Sequence, residues 1–379
     1  MMRSRPVAIL KSAILVLLLT GFGSKWIQAA GPSQLEELAN LPVPISNNAV
    51  ALRPQGSGYE IVSALGLESG KTWRDTSSKA FRYVSDTGQW VAIQDVPGPA
   101  GRLAASAVSV AGEVYVFGGY TVAEDGSESS VPQVYKLQQD SGEWQEFTRM
   151  PIPVEDSVLL VYGDRYVYLL SGWHDLGNVN LVQVLDTHDS SWRQATPYPG
   201  APVFGHAGGI SGSRMLVCDG VRIEYPHTGA PRRFTPSFEC WQGEISTDDH
   251  RRIDWKPVMT HPGMARYRMA ASGDDQGRVF FAGGSTNPYN FDGTGYNGLP
   301  SEPESGVFSY DFESGMWMCH GDLPIATMDH RTMLSHGGWL YIVGGMREKQ
   351  QVSDGVFRFR PAPARKCPVQ TLQTSRPPP

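Results

Sequence analysis

The sequence predicts an all-β fold, a six-bladed β-propeller whose last blade is closed by an N-terminal strand. Three observations carry this. A short β-rich run ending in glycine recurs six times, with its final glycine at 66, 119, 172, 220, 284 and 345. A tryptophan opening a further strand follows each of the first five copies, at Trp90, Trp144, Trp192, Trp255 and Trp317. The 379 residues include 42 glycines, 28 prolines and 10% aromatics, with 18% charged. Such a chain has too many aromatics for disorder and too many helix breakers for a coiled coil or long helices.

The elements follow in order. Residues 1–30 read as an export signal: Arg3, Arg5 and Lys11 precede the apolar run Ala13-Ile-Leu-Val-Leu-Leu-Leu19. That run is shorter than the ~20 residues of a bilayer span. The small residues Gly21, Gly23, Ala29 and Ala30 after it offer cleavage sites. A periplasmic or secreted protein with no stable membrane anchor after cleavage is expected. Residues 31–361 read as one propeller. Its glycine runs are Ile61–Gly66 (the most degenerate), Val114–Gly119, Tyr166–Gly172, Arg214–Gly220, Val279–Gly284 and Leu340–Gly345. Each period reads as four strands: one before the glycines, one ending in them, one before the Trp turn and one starting at Trp. The glycine strand is expected beside the crowded axis, where glycine permits close approach, and Trp in the wide outer wedge. The sixth copy stops at Val356-Phe-Arg-Phe-Arg360 without a Trp strand. Residues 35–44 are therefore expected to supply its outer strand and close the ring. The Pro-rich tail, 362–379, is expected to be disordered. Cys218 and Cys240 fall on neighbouring strands of blade four, where a disulfide and two buried free thiols both remain open.

In an antiparallel blade the first strand starts on the rim where the second ends. One rim therefore collects the residues just before each first strand: Asn47 or Asn48, Arg102, Glu155 or Asp156, His206, Arg268, His330 and Arg331. It also collects those just past the glycines, including Tyr120, Trp173, Arg222 and Glu224. Singly, such residues would serve loop backbones and inter-blade ion pairs. Together they outline a binding site, with arginines suited to a carboxylate. Two long loops join this rim, at 222–233 and 287–298. The second sets Tyr289, Phe291 and Tyr296 among Asn290, Asp292 and Asn297, a mixture suited to sugars. The expected ligand is a small sugar carrying a carboxylate. It is held by Arg102, His206, Arg222, Arg268, Tyr289, Asn290, Tyr296, His330 and Arg331. Gly293–Gly298 matches a dinucleotide-binding glycine pattern, but Leu299-Pro-Ser-Glu-Pro303 cannot open the helix that pattern requires. With net charge -6 and no basic block, nucleic acid is not an expected partner. No C-x-x-C or H-E-x-x-H occurs, so neither metal nor cofactor is expected.

A repeat of roughly 50 residues with a glycine doublet and a spaced tryptophan resembles the kelch motif, over residues 35–361. Within kelch proteins, an exported six-bladed ring resembles the bacterial N-acetylneuraminate epimerases. Gly98-Pro-Ala-Gly-Arg102 leading into Val114–Gly119 resembles that family's second blade, and Phe281-Ala-Gly-Gly284 with its Tyr/Asn/Gly loop the fifth. The resemblance implies interconversion of sialic acid anomers in the periplasm. It also implies a catalytic Glu directly after blade four's Asn-Gly, with an Arg a few residues on. Here Val221 follows Asp219-Gly220; Glu224 comes three residues later, and Arg232 follows. The resemblance thus assigns Glu224 as the base and Arg232 as its partner, the site being either shifted or lost. The other readings are a non-catalytic sugar- or protein-binding propeller and a galactose-oxidase-like copper enzyme.

Overall fold

The chain alternates short apolar strands with turns, and each group of four strands folds back on itself as an antiparallel sheet. A computed structural model describes residues 32–175, 177–228 and 230–367; the signal-like segment 1–30 lies outside them. Blade two shows the unit: Ser106–Val110, Glu113–Phe117, Gln133–Leu137 and Trp144–Arg149, paired in that order. Six such sheets form the ring, and the described residues contain four two-stranded hairpins and two short 3-10 turns besides.

The first strand of each blade, not the glycine strand, is innermost. Strands such as Ser106–Val110, Val158–Tyr162 and Ala207–Ser211 contact one another around the axis. The glycine mark has a different cause. Immediately after each glycine the chain bridges back to the residue before its own first strand. The six pairs are Ser46–Leu67, Leu103–Tyr120, Glu155–Trp173, Phe204–Val221, Tyr267–Ser285 and Met328–Met346. A Cβ on Gly119 would stand 2.6 Å from the Leu103 carbonyl oxygen, and one on Gly345 2.8 Å from that of Met328. The residue following each bridge is left-handed in all six blades: Asn47, Ala104, Asp156, Gly205, Arg268 and Asp329. These positions join into a closed belt. Asn47, Asp156, Gly205 and Arg268 donate their backbone N–H groups to the carbonyls of Asp329, Ala104, Asp156 and Gly205. Ala104 donates to the Asn47 side chain, and His330 to the Arg268 carbonyl.

The tryptophans tie the periphery as expected. Each indole N–H donates to the preceding blade: Trp90 to Ala39, Trp144 to Gln94, Trp192 to Thr148, Trp255 to Thr196 and Trp317 to Met259. The N-terminal strand, Gln34–Glu37, pairs antiparallel with Val356–Arg360 and completes blade six. Residues beyond it leave the strand but remain bonded to that blade, through Leu41 N–H to Asp354 and Ile45 N–H to Ser353.

The expected disorder of the tail is corrected for its first residues. Arg365–Lys366 adds a fifth strand to the outer edge of blade five, and Cys367 is disulfide-bonded to Cys319. Backbone pairing and a cross-link hold a stretch whose composition shows no strand pattern. Residues 368–379 lie outside the described residues. Cys218 and Cys240 sit directly opposite one another on strands two and three of blade four and form a second disulfide.

Candidate functional site

Past the glycine mark, four blades raise a small hairpin on the same rim. That of blade two pairs Tyr120–Val122 with Glu128–Ser130 across the Asp125-Gly126 turn. That of blade four pairs Val221–Glu224 with Arg233–Pro236. With the loop of blade five they enclose a cavity of about 240 Å³. This is below the roughly 300–1,000 Å³ usual for drug-sized ligands, and suits a small molecule.

One wall is aromatic. Phe234 of the blade-four hairpin stacks on Tyr296 of the blade-five loop, with centroids 3.9 Å apart and planes 16° apart. Trp173 meets Phe204 edge-on at 5.5 Å. Arg232 lies 5.2 Å from the ring centroids of both Trp173 and Phe234. It is thus held by aromatic faces, and among the described residues it forms no ion pair with a carboxylate.

The floor is a closed charge network. Asp156 accepts Arg268 Nη2 at 2.7 Å, Tyr267 Oη at 3.2 Å and Arg331 Nη1. Asp329 accepts Arg268 Nη1 at 2.8 Å and Asn47 Nδ2 at 2.9 Å. All four charged side chains are buried. Burial pushes the Asp156 carboxyl up, but Arg268 and Arg331 outweigh it and hold the group below the ordinary range.

Two further carboxyls reach the cavity. Glu155, on the floor, is 4% exposed. Burial pushes its pKa well up, as do the negative charges of Asp156, Glu128 and Asp175; the nearby Ser130 side chain opposes the rise. Glu128 stands at the mouth, reached by solvent yet close enough to dense protein that desolvation raises it, against the pull of Arg268 and Arg232.

The sequence-predicted residues divide in three. Arg232, Arg268, Asn290 and Tyr296 line the cavity. Glu224 and Arg222 do not: they pair with each other at 2.8 Å, and Glu224 also accepts Thr235 Oγ1 at 3.2 Å. Strand alternation explains this. Val221 and Ile223 pack into the apolar cluster under the rim, so Arg222 and Glu224 face the other way. These hydrogen bonds hold the Glu224 carboxyl below its ordinary range, which makes it a poor base.

The remaining residues are buried parts of the fold. Arg102 donates to the Pro97 carbonyl at 3.0 Å with its guanidinium 5.5 Å from the Tyr135 ring, and burial lowers its pKa to about 10. His206 Nε2 donates to the Leu170 carbonyl, and His330 hydrogen-bonds Thr327. Burial lowers both imidazoles to about 4, leaving them neutral near pH 7. Tyr289 donates to Asp329 beneath the floor, and Arg331 is bound to Asp156 and the Ser157 carbonyl. Arg268 and Arg331 are therefore neutralised from within and not arrayed for a ligand carboxylate.

Glu128, Phe204 and Phe234 belong to the cavity and escaped sequence reasoning. The Asp125-Gly126 turn shortly after the β-formers Tyr120-Thr-Val122 was the available signal for the hairpin carrying Glu128. A copper reading of the galactose-oxidase kind needs a cysteine free to join a tyrosine, and all four are in disulfides.

The kelch motif model matches residues 101–151, which span blade two. The chain is similar to N-acetylneuraminate epimerase 1 of Escherichia coli O6:H1 (strain CFT073), at 23% identity over 342 residues, covering 77% of this chain and 87% of that protein. It is similar to Kelch-like protein 15 of Gallus gallus, at 24% identity over 108 residues, 28% of this chain and 22% of that one. The solved structure of YjhT superimposes with a TM-score of 0.65 at 16% identity, covering 84% of this chain and 96% of that one, and shares its fold. The chain is thus a six-bladed kelch propeller that resembles the N-acetylneuraminate epimerases.

Proposed function

We propose that this protein is a mutarotase for an acidic monosaccharide of the N-acetylneuraminate type, acting in the rim cavity and outside the cytoplasm. The observation that carries the reading is the juxtaposition of an aromatic wall with Arg232, a cation that makes no direct ion pair with a carboxylate among the described residues. A sugar lays its apolar C–H face on Phe234, Tyr296 and Trp173. Its carboxylate meets the Arg232 fork through paired hydrogen bonds, and Asn290 offers an amide to its hydroxyls. Ring opening and closure need only proton transfer, so neither metal nor cofactor enters the scheme. The two disulfides suit an oxidising compartment, and the similarity to an N-acetylneuraminate epimerase agrees in substrate class.

One observation favours a second reading, a sugar-binding propeller without catalysis: Glu224, the base implied by resemblance, faces away from the cavity. NMR measurement of N-acetylneuraminate anomer exchange separates the two. The mutarotase accelerates exchange over buffer; saturable binding with exchange at the buffer rate establishes the binding protein. Arg232→Gln should weaken binding of the acidic sugar by about 10–100-fold, as expected for a charged hydrogen bond of roughly 1.5–3 kcal/mol. Affinity for the sugar's methyl ester should stay unchanged, as titration calorimetry would show.

A further inference from the structure

The carboxyl groups of Glu155 and Glu128 come from different elements yet reach the same cavity. Glu155 is placed by its bridge to Trp173, made through two backbone hydrogen bonds of 3.0 and 2.9 Å. One of its oxygens, Oε2, is buried and meets no hydrogen-bond partner among the described residues. The Ser130 side chain stands near enough to the Glu155 carboxyl to favour its ionised form. Glu128 lies two residues from Ser130 on the same short strand, so the two side chains share a face. That register brings Glu128 to the mouth above Glu155, with Arg232 and Arg268 beside it.

We propose that Glu155 and Glu128 are the catalytic proton-transfer pair of this cavity, Glu155 as the acid toward the ring oxygen and Glu128 as the base toward the anomeric hydroxyl. The assignment rests on the mutarotase reading and names its machinery. Their surroundings separate the two groups. Glu155 is buried and faces Asp156, Glu128 and Asp175, all of which favour its protonated form; Ser130 opposes them. Glu128 is raised as well, by desolvation and by Asp156, but less so, because Arg268 and Arg232 pull it back toward ionisation. Unequal retention of the proton by two neighbouring carboxyls is the arrangement that acid–base chemistry requires. In the forward step Glu128 takes the anomeric hydroxyl proton, the bond between the anomeric carbon and the ring oxygen breaks, and Glu155 protonates that oxygen. The open-chain ketone then presents its other face. The released hydroxyl attacks the carbonyl carbon while returning its proton to Glu155, and Glu128 returns its proton to the carbonyl oxygen. No proton or electron is gained or lost.

The test uses the full-length protein with N-acetylneuraminate as the probe, and measures anomer exchange by NMR alongside binding and thermal unfolding. Glu155→Gln and Glu128→Gln should each slow exchange about 100-fold, the usual scale of general acid–base catalysis, while binding persists. Glu128→Gln alters a hairpin at the mouth and provides a variant whose folding does not depend on the floor. With pH rising, wild-type exchange should fall as Glu155 ionises, and that alkaline fall should vanish in Glu155→Gln. If wild type accelerates exchange and either variant keeps the wild-type rate with binding intact, the pair is wrong and the mutarotase reading stands. Wild-type exchange at the buffer rate overturns both.

Discussion

Deleting residues 32–45 from the chain is expected to lower the melting temperature sharply and to broaden or abolish cooperative unfolding. Three contributions go at once. The outer strand of blade six disappears, leaving the N–H and C=O groups of Val356–Arg360 unpaired along one edge. Leu41 and Ile45, 3% and 2% exposed, leave a cluster that includes Tyr83 of blade one with Tyr341 and Val343 of blade six. Their burial alone stabilises the fold by about 3–6 kcal/mol, comparable with much of a domain's usual net stability of roughly 5–15 kcal/mol. The Trp90 indole also loses its acceptor, the Ala39 carbonyl of the preceding loop. Circular dichroism melts decide the matter. An unchanged midpoint would mean that the ring holds without this closure.

The repeat was legible in the sequence because it answers a demand made six times. Each blade needs a residue without a Cβ where its chain bridges back past a carbonyl, and Gly119 and Gly345 show how little room exists. The tryptophan was legible for a similar reason: the outer strand of each of the first five blades sends an indole N–H to the blade before it. The site was less so. The polar position before each first strand was correctly placed on one rim, yet Arg268 finds its partners Asp156 and Asp329 at separations of 112 and 61 residues. No local pattern announces such pairing, so an internal ion network reads in sequence like a row of free cations. The cavity wall joins Trp173, Phe234 and Tyr296 from three blades, again beyond local pattern. Glu224 is different. The alternation Val221-Arg-Ile-Glu224 already places it opposite the apolar face, so its outward direction was available from a two-residue period.

Asp156→Asn should be among the most destabilising single substitutions in the protein, by about 3–5 kcal/mol, the scale on which removing one partner strands a buried charge. The asparagine keeps the shape but removes the charge that Arg268 and Arg331 share. Both guanidiniums are buried, and only Asp329 remains to answer Arg268. The contrasting variant is Asp249→Asn, which removes an exposed pair with Arg251 and should leave the melting temperature nearly unmoved. The pH dependence gives an independent reading. The folded Asp156 carboxyl lies below its unfolded value of about 3.9. Its stabilisation is therefore complete above about pH 4 and is lost as pH falls through the folded value. His206 and His330 act in a separate window. Their folded values, lowered to about 4 from 6.5, withdraw stability as pH falls from 6.5 toward 4. Above about pH 4 they do so alike in wild type and variant, because both imidazoles are neutral in the fold there and the Asp156 charge bears only on the folded value of His206. The gap in melting temperature between wild type and Asp156→Asn should therefore be wide and constant from pH 7 down to about pH 4, then narrow in stronger acid. A gap that closes already between pH 6.5 and 4 would assign the effect to the imidazoles instead of to the carboxylate that ties blades three, five and six across the axis.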